Sequence, residues 1–418
     1  MSRCVVVGSG AREHALAWAL SKSVEVVVTP GNDGIAAHGI ICVDTPASEL
    51  DADLFVVGPE QPLVEGLADQ LRSQGKLVVG PGVDGAQLEG SKSYMKEFFT
   101  AAGVPTAAYE SFRDEEEAYF FLDTLLPPYV IKTDGLAAGK GVYVTNIIDD
   151  ARADVHDKLS GASFGAAGTT IVIEEGLVGE ECSFHVLCDG TDVVPLVAAQ
   201  DFKRVGDDDL GANTGGMGAY APMSAMTDEQ RDDILERAIR PTVAELKRRG
   251  VDFRGVLYAG VMLTATGPKL LEYNVRFGDP ETEVLVPLYG DGLFDLLLRV
   301  AEGRLAGANA VSSGAAVTVV LAANGYPQSP RSGDVLHGLG PDGQLATPNE
   351  HVLIFHAGTK RNDDGQFVTN GGRVLAVTGL GADVAEARRR AYEGAALVTF
   401  EGSVRRSDIA RSASEGEQ

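Results

Sequence analysis

In the run EYNVRFGDPE, Glu272 to Glu281, a carboxylate, a carboxamide and a guanidinium fall at every second residue: Glu272, Asn274 and Arg276. On an extended strand such residues share a face, with Leu271, Tyr273 and Val275 on the other. A carboxylate beside an amide oxygen is a hard-oxygen pair suited to Mg²⁺, whose other positions go to substrate phosphates and water. Arg276 beyond them could bind a phosphoryl group in transfer. A polar-faced edge strand would also explain the alternation, but not the Gly278, Asp279 and Glu281 crowded behind it.

Other segments carry complementary chemistry. YVIKTDGLAAGKGVYV (129–144) reads as strand, Gly-rich loop and strand. It lacks the GxxxxGK[ST]-then-helix order of a P-loop. Gly135, Gly139, Lys140 and Gly141 fit a flap whose backbone N–H groups approach phosphates, with Lys132 at the strand end supplying charge. A hairpin with solvated lysines is the plain alternative. In IVIEEGLVGEECSF (171–184), Glu174, Glu175 and Glu181 could serve the amine and ribose hydroxyls of a nucleotide, or form a solvated acidic turn. The stretch 200–222 is Gly-rich and too long for a tight turn; such loops are functional or disordered. Lys360 and Arg373 flank a hairpin signal at Asn370-Gly371-Gly372 and could reach an anion, as could many surface cations.

These groups need a frame. Short β-branched runs at Cys4–Val7, Val24–Val28, Ile40–Val43, Leu54–Val57 and Leu77–Val79, with helical stretches at Arg12–Ser21 and Leu63–Ser73, predict a parallel, doubly wound sheet. Only Thr45–Asp53 separates the third and fourth strands, too short for a helical crossover, so a single turn or extended link is expected. The turn Gly8-Ser9-Gly10-Ala11-Arg12-Glu13 invites a dinucleotide reading. Glu13 at the third Gly position and Thr29-Pro30-Gly31-Asn32 after the second strand weaken it, leaving another ligand's phosphate or a structural turn. Ser91 N-caps an amphipathic helix (Tyr94, Phe98, Ala102) that Gly103 and Pro105 stop. The expected organisation is a Rossmann-like domain over 1–90, a two-lobed core over 91–312 with a small α+β lid at about 105–177, and a strand-rich domain over 313–418. A helix from about Asp228 to Arg249, a last helix at Val384–Leu397 and a loose tail after Ile409 complete this α/β and α+β multidomain chain.

Composition narrows the partners. A formal net charge of −25 over 418 residues argues against a nucleic-acid-coating or anionic-membrane protein. Cys4, Cys42, Cys182 and Cys188 form no CxxC pair and the histidines no HExxH, so zinc and a disulfide framework are not expected. MSRCVVVGSG reads as a strand and a turn rather than a signal peptide, and the uncharged window Leu305–Pro330 as loop plus one buried strand. A soluble cytoplasmic enzyme is expected.

Together GxGxREHALAW, VGPExPLVxG, AQLEGSK, IKxDGLAAGKGV, GEExSF, QDxKRVGD, NTGGMGAY, EYNVRFGDPET, HAGTK and TNGGRVL resemble the ATP-grasp superfamily, and within it the phosphoribosylamine–glycine ligase family, over nearly the whole chain. The resemblance implies an ADP-forming ligase that joins glycine to 5-phosphoribosylamine through glycyl phosphate, using ATP and Mg²⁺ or Mn²⁺. It implies a monomer or small homo-oligomer with small-molecule partners and neither nucleic acid nor membrane. By position it gives Lys92 and Lys132, with Gly139 and Lys140, to the ATP phosphates, and Glu174, Glu175, Leu177 and Glu181 to adenosine. Glu272 and Asn274 become the metal ligands, and Arg276, Lys132 and Asp279 the catalytic set. Gly10, Ala11, Arg12, Glu60, Asp201, Lys203, Lys360 and Arg373 become substrate contacts. One departure is Tyr258, where many ATP-grasp enzymes place a second metal carboxylate. The alternatives weighed are an ATP-grasp ligase for another acid, a silent nucleotide-binding regulator, and a dehydrogenase.

Overall fold

The computed structural model describes residues 3–135, 141–161 and 169–416. Gly139 and Lys140 lie outside them. The N-terminal strands β1 (Arg3–Gly8), β2 (Glu25–Pro30), β3 (Ile41–Cys42), β4 (Leu54–Val57) and β5 (Leu77–Val79) form one parallel sheet in the order β3-β2-β1-β4-β5. Cys4–Val7 and Leu54–Val57 are buried throughout, as continuous β-branched runs require when both faces are covered. The short crossover is a single 3₁₀ turn, Ala47–Glu49. Strand order reverses beside β1, where the turn at Gly8–Gly10 leads into the helix Ala11–Leu20. Ligands of open α/β sheets bind at such a switch point.

The stretch expected to form a lid holds an antiparallel sheet, β6-β9-β7-β8, of β6 (Tyr109–Phe112), β7 (Tyr129–Thr133), β8 (Val142–Thr145) and β9 (Ile171–Glu175). With the helices Glu115–Leu122 and Ile148–Leu159 it encloses its own apolar cluster, including Phe112, Leu122, Ile131 and Ile173. The larger lobe has the antiparallel order β11-β10-β16-β17, from β10 (Glu180–Asp189), β11 (Val193–Pro195), β16 (Arg254–Thr264) and β17 (Gly267–Asn274). The helical stretch expected near 228–249 runs from Asp228 to Arg248, with a π turn at Leu235–Ile239 just before Pro241. A wider turn there relieves the missing proline N–H.

The segment 200–222 is not a free loop. Its strands β12 (Gln200–Asp201) and β15 (Gly218–Ala221) join β18 (Ala315–Ala322), β22 (Arg373–Gly381) and β19 (Val352–His356) in the sheet β12-β15-β18-β22-β19. The pairing partner lies about a hundred residues away, so the segment's own sparse apolar content conceals it. Two ribbons, β13 (Arg204–Gly206) with β14 (Leu210–Asn213) and β20 (Thr359–Arg361) with β21 (Phe367–Thr369), stand beside this sheet. The last helix is Val384–Leu397, N-capped by Asp383. The tail expected to be loose folds as the short helix Arg411–Gly416, after Arg406 is buried against Asp209 and Asp408. Among the described residues no helix is long and apolar enough to cross a membrane.

Candidate active site

Strand β17 pairs with β16 so that Glu272 stands opposite Gly260 and Asn274 opposite Tyr258. The inward face of β17 is fixed by Tyr273, which is 1% exposed, packs edge-on against Phe99 and shares a 2.9 Å hydrogen bond with Thr242. That packing turns Glu272 and Asn274 to the opposite face. The strand ends at Asn274, yet Arg276 keeps to the same side, its Nη2 donating to Asn274 Oδ1 at 3.2 Å. Among the described residues Glu272 has no hydrogen-bond or ion-pair partner. Burial raises its carboxyl pKa, but Lys92, Lys132, Lys203 and Arg276 together outweigh burial and hold it below the ordinary range. An ionised, unpaired carboxylate beside an amide oxygen fits a Mg²⁺ ion that draws its remaining ligands from phosphate and water. No group of three or more His, Cys, Asp or Glu among the described residues could hold a metal by itself.

Asp134 places Lys92. Its carboxylate accepts from the backbone N–H groups of Lys92 (2.6 Å) and Ser93 (3.2 Å) and from both serine hydroxyls, Ser91 (3.0 Å) and Ser93 (2.6 Å). The start of the helix Lys92–Ala102 is thereby tied to the strand end that carries Lys132. Lys132 lies 2.8 Å from Glu174, and Lys96 reaches the other oxygen of Glu174 at 3.0 Å. Glu174 therefore turns inward between two lysines, whereas Glu175 turns outward to Lys269 and the Ala108 N–H. Leu177 is half-buried in the link to β10. Glu181 pairs with Lys203, which also meets Asp201 at 3.4 Å. Burial lifts the Asp201 carboxyl to about 7 against the pull of Lys203, with Glu281 and Glu181 adding to the rise.

The N-terminal turn meets this wall. Arg12 Nη1 and Arg276 Nη1 both donate to the Phe277 carbonyl, at 3.3 and 3.1 Å. Arg276 also pairs with Glu89 (2.7 Å) and Glu60 (3.4 Å), and their charges outweigh burial in raising its pKa. Glu13 Oε2 accepts from Gly10 N at 2.6 Å and Oε1 from Arg12. A Cβ at Gly58 would lie 2.1 Å from that carboxylate, so Glu13 fills the space over the turn that a dinucleotide's pyrophosphate would need. Arg373 closes the third side, 2.9 Å from the Asp279 carboxylate and donating to the Gly215 and Asp279 carbonyls. Gly216 is required there: its φ is +106° and a Cβ would sit 2.4 Å from Pro280. Beneath, Glu281 accepts from Tyr258 (2.5 Å) and Ser183 (3.0 Å), and His185 accepts from Gly278 N at 3.1 Å.

Ion pairs, hydrogen bonds and charge couplings thus link Arg12, Glu60, Lys92, Lys132, Asp201, Lys203, Glu272, Asn274, Arg276, Asp279 and Arg373 into one network, with Gly10 and Ala11 next to Arg12 in the chain. Lys360 stands apart, exposed on β20 and without an ion-pair partner among the described residues. Asn32 links its region to the N-terminal turn, donating to the carbonyls of Ser9, His356 and Ala357. Sequence reasoning missed Glu89, Lys96, Asp134, Ser183, His185 and Glu283. AQLEGSK, IKxDGLAAGKGV and GEExSF contain Glu89, Asp134 and Ser183 and signalled their regions; Lys96, His185 and Glu283 carry no local mark.

Family models for the N, ATP-grasp (A) and C domains of phosphoribosylglycinamide synthetase match residues 2–89, 90–282 and 316–412. A phosphoribosylamine–glycine ligase of Escherichia coli (strain K12) is 46% identical, with both chains covered completely. One from Mesorhizobium japonicum is 46% identical over 97% of each chain. The crystal structure of the Thermotoga maritima phosphoribosylamine–glycine ligase superposes with a TM-score of 0.86 at 38% identity, covering 98% of this chain and all of that one. The biotin carboxylase domain of Hydrogenobacter thermophilus 2-oxoglutarate carboxylase, solved with MgADP, shares the fold at a TM-score of 0.72 and 17% identity, over 97% of this chain and 91% of that one. With three consecutive domain models and full-length relatives in agreement, the chain belongs to the phosphoribosylglycinamide synthetase family of ATP-grasp ligases.

Proposed function

We propose that the chain joins glycine to 5-phosphoribosylamine, converting ATP to ADP and phosphate, and so forms glycinamide ribonucleotide for purine synthesis in the cytoplasm. The observation that carries this reading is the unpaired Glu272 carboxylate facing Lys92, Lys132, Lys203 and Arg276. That charge set suits a nucleotide triphosphate and its cation better than any neutral ligand. Mg²⁺, or Mn²⁺ in its place, held by Glu272 and Asn274 would neutralise charge across the transferring phosphates.

A carboxylate does not condense with an amine in water, because its oxygen leaves poorly. In the proposed reaction a glycine carboxylate oxygen attacks the γ-phosphorus and ADP departs. The amine of phosphoribosylamine then attacks the carbonyl carbon of glycyl phosphate, phosphate leaves with the bonding pair, and the nitrogen loses a proton. The residues act by position and charge. Lys92 and Lys132 hold phosphate oxygens. Arg276 turns from Glu89 and Glu60 toward the phosphoryl group. Leu177 and Glu181 receive the adenosine, with Glu174 and Glu175 beside them. Gly10–Arg12, Glu60 and the Asp201–Lys203 pair hold the sugar side, Lys360 and Arg373 its phosphate, and Asp279 the glycine ammonium.

The test is Glu272→Ala. ADP release that depends on both glycine and phosphoribosylamine should vanish while circular dichroism and melting stay as in the parent. Near-normal turnover would remove Glu272 from the metal role, and release supported by formate instead of glycine would overturn the substrate assignment.

A further inference from the structure

Lys96 has no part in the scheme above, yet it is among the most deeply buried charges in the protein. It sits one turn beyond Lys92 on the helix Lys92–Ala102, and its side chain has no exposure to solvent. Its ammonium lies 3.0 Å from Glu174 Oε2, donates to Thr106 Oγ1 at 2.8 Å, and stands 5.6 and 5.5 Å from the ring centres of Phe99 and Tyr109. The Thr106 hydroxyl donates to the Leu270 carbonyl at 2.7 Å, so its oxygen is oriented to accept from the lysine. Lys132, 5% exposed by side chain, occupies the other oxygen of Glu174 at 2.8 Å.

A single buried ion pair gains little, because desolvation of both charges offsets their attraction. Two lysines on one carboxylate desolvate a third charge that the carboxylate cannot neutralise. Stability alone therefore does not explain the second lysine. A transfer does. If Lys132 were the sole partner of Glu174, engaging a phosphate would strand a buried carboxylate, and the cost would be charged against nucleotide binding. With Lys96 in place Glu174 stays paired whichever way Lys132 turns.

We infer that Lys96 is a positioning residue for ATP: it is the resident counter-cation of Glu174 that frees Lys132 to bind phosphate. The inference rests on the reading of Lys132 as a phosphate ligand. The groups facing Lys96 are Glu174 on β9, Lys132 on β7, Glu272 on β17, Thr106 and the Tyr109 and Phe99 rings. Burial draws the Lys96 pKa down to about 8, against the upward pull of Glu174. Its charge therefore fades in mildly alkaline solution, and the parent protein itself offers a test.

The experiment is calorimetric titration of a non-hydrolysable ATP analogue with Mg²⁺. Lys96→Met should weaken binding at pH 7.5 by about tenfold or more, one unit of log affinity. The double variant Lys96→Met with Glu174→Gln should bind more tightly than Lys96→Met alone, because a neutral amide no longer holds Lys132. The parent should lose affinity between pH 7.5 and 9 with a midpoint near 8. Unchanged affinity in Lys96→Met, equal weakness in the single and double variants, or a flat parent profile would each overturn the inference. Lys132→Met separates the two readings. If it binds normally, the phosphate role of Lys132 fails; if it binds weakly while Lys96→Met binds as the parent does, only the inference fails.

Discussion

At the scale of single residues, Glu283 is the clearest case of a group whose state is decided by its surroundings. It is fully buried, and neither oxygen has a hydrogen-bond partner beyond its own backbone. Burial pushes its carboxyl well above the usual carboxylate range and Asp279 adds to the rise, while Arg373 and Arg12 oppose it. An acid whose folded pKa lies above its unfolded value contributes stability fully below the unfolded value, near 4.5, and loses it as pH rises. Glu283→Gln keeps the shape and removes the titration. Its melting temperature relative to the parent should therefore climb between pH 5 and pH 8, as read by differential scanning fluorimetry. A pH-independent difference would show that folding leaves Glu283 as ionised as it is in the unfolded chain. Nothing in the string DPETE distinguishes Glu283 from Glu281; both are buried, but Glu281 finds donors in Ser183 and Tyr258 and the Glu283 side chain finds none among the described residues.

At the scale of elements, the site depends on two strand ends and a helix start held in one place. Asp134 does the holding, with two backbone N–H groups and two serine hydroxyls on its carboxylate. Asp134→Ala removes the shared cap. Loss of such a cap costs about 1–2 kcal/mol of stability, to be read from urea melts. Because the helix start carries Lys92, KM for ATP should rise more than kcat falls. An equal drop in both parameters would place the defect elsewhere. The alternation along Glu272–Arg276 made β17 legible, since a strand's two faces are written in its residues. The role of Gly260, which leaves room opposite Glu272 with a Cβ position 3.4 Å from its Cγ, was not, because register between strands is a property of the pair.

At the scale of the whole molecule, the N- and C-terminal domains meet through histidines. His14 Nε2 and His38 Nδ1 are 2.9 Å apart, and His14 Nδ1 accepts from the His356 N–H at 2.9 Å. His356 in turn meets Thr359 and the Gly343 carbonyl. Burial lowers all three pKa values, that of His356 to about 4 and that of His14 well below the ordinary value. A histidine depressed on folding contributes stability above its unfolded pKa of 6.5, lost as pH falls toward the folded value, because the unfolded chain then takes up the proton. For the shift of His356 the loss approaches roughly 3 kcal/mol. Unfolding free energy measured from pH 7 to pH 4 should fall steeply, and His356→Gln should flatten the curve. A variant curve parallel to the parent's would mean that His356 does not report on docking of the two domains.

Taken alone, the amino-acid sequence determined the parallel N-terminal sheet, the short crossover, the cap at Ser91, the last helix and the polar face of β17. Each is written in local periodicity, turn residues or charge within a dozen positions. It also marked the regions that carry the candidate site, through motifs carrying more glycine and charge than packing needs. Tertiary structure alone decided how those regions meet. It joined residues 200–221 to a sheet completed beyond residue 315, turned Glu174 inward between Lys96 and Lys132, and filled the dinucleotide turn with Glu13. It also left Glu272 unpaired among its cations. These outcomes depend on desolvation and on contacts between distant segments, which no local pattern encodes. The run EYNVRFGDPE could announce a metal and phosphate chemistry, but only the folded chain could show which of its carboxylates remain free to perform it.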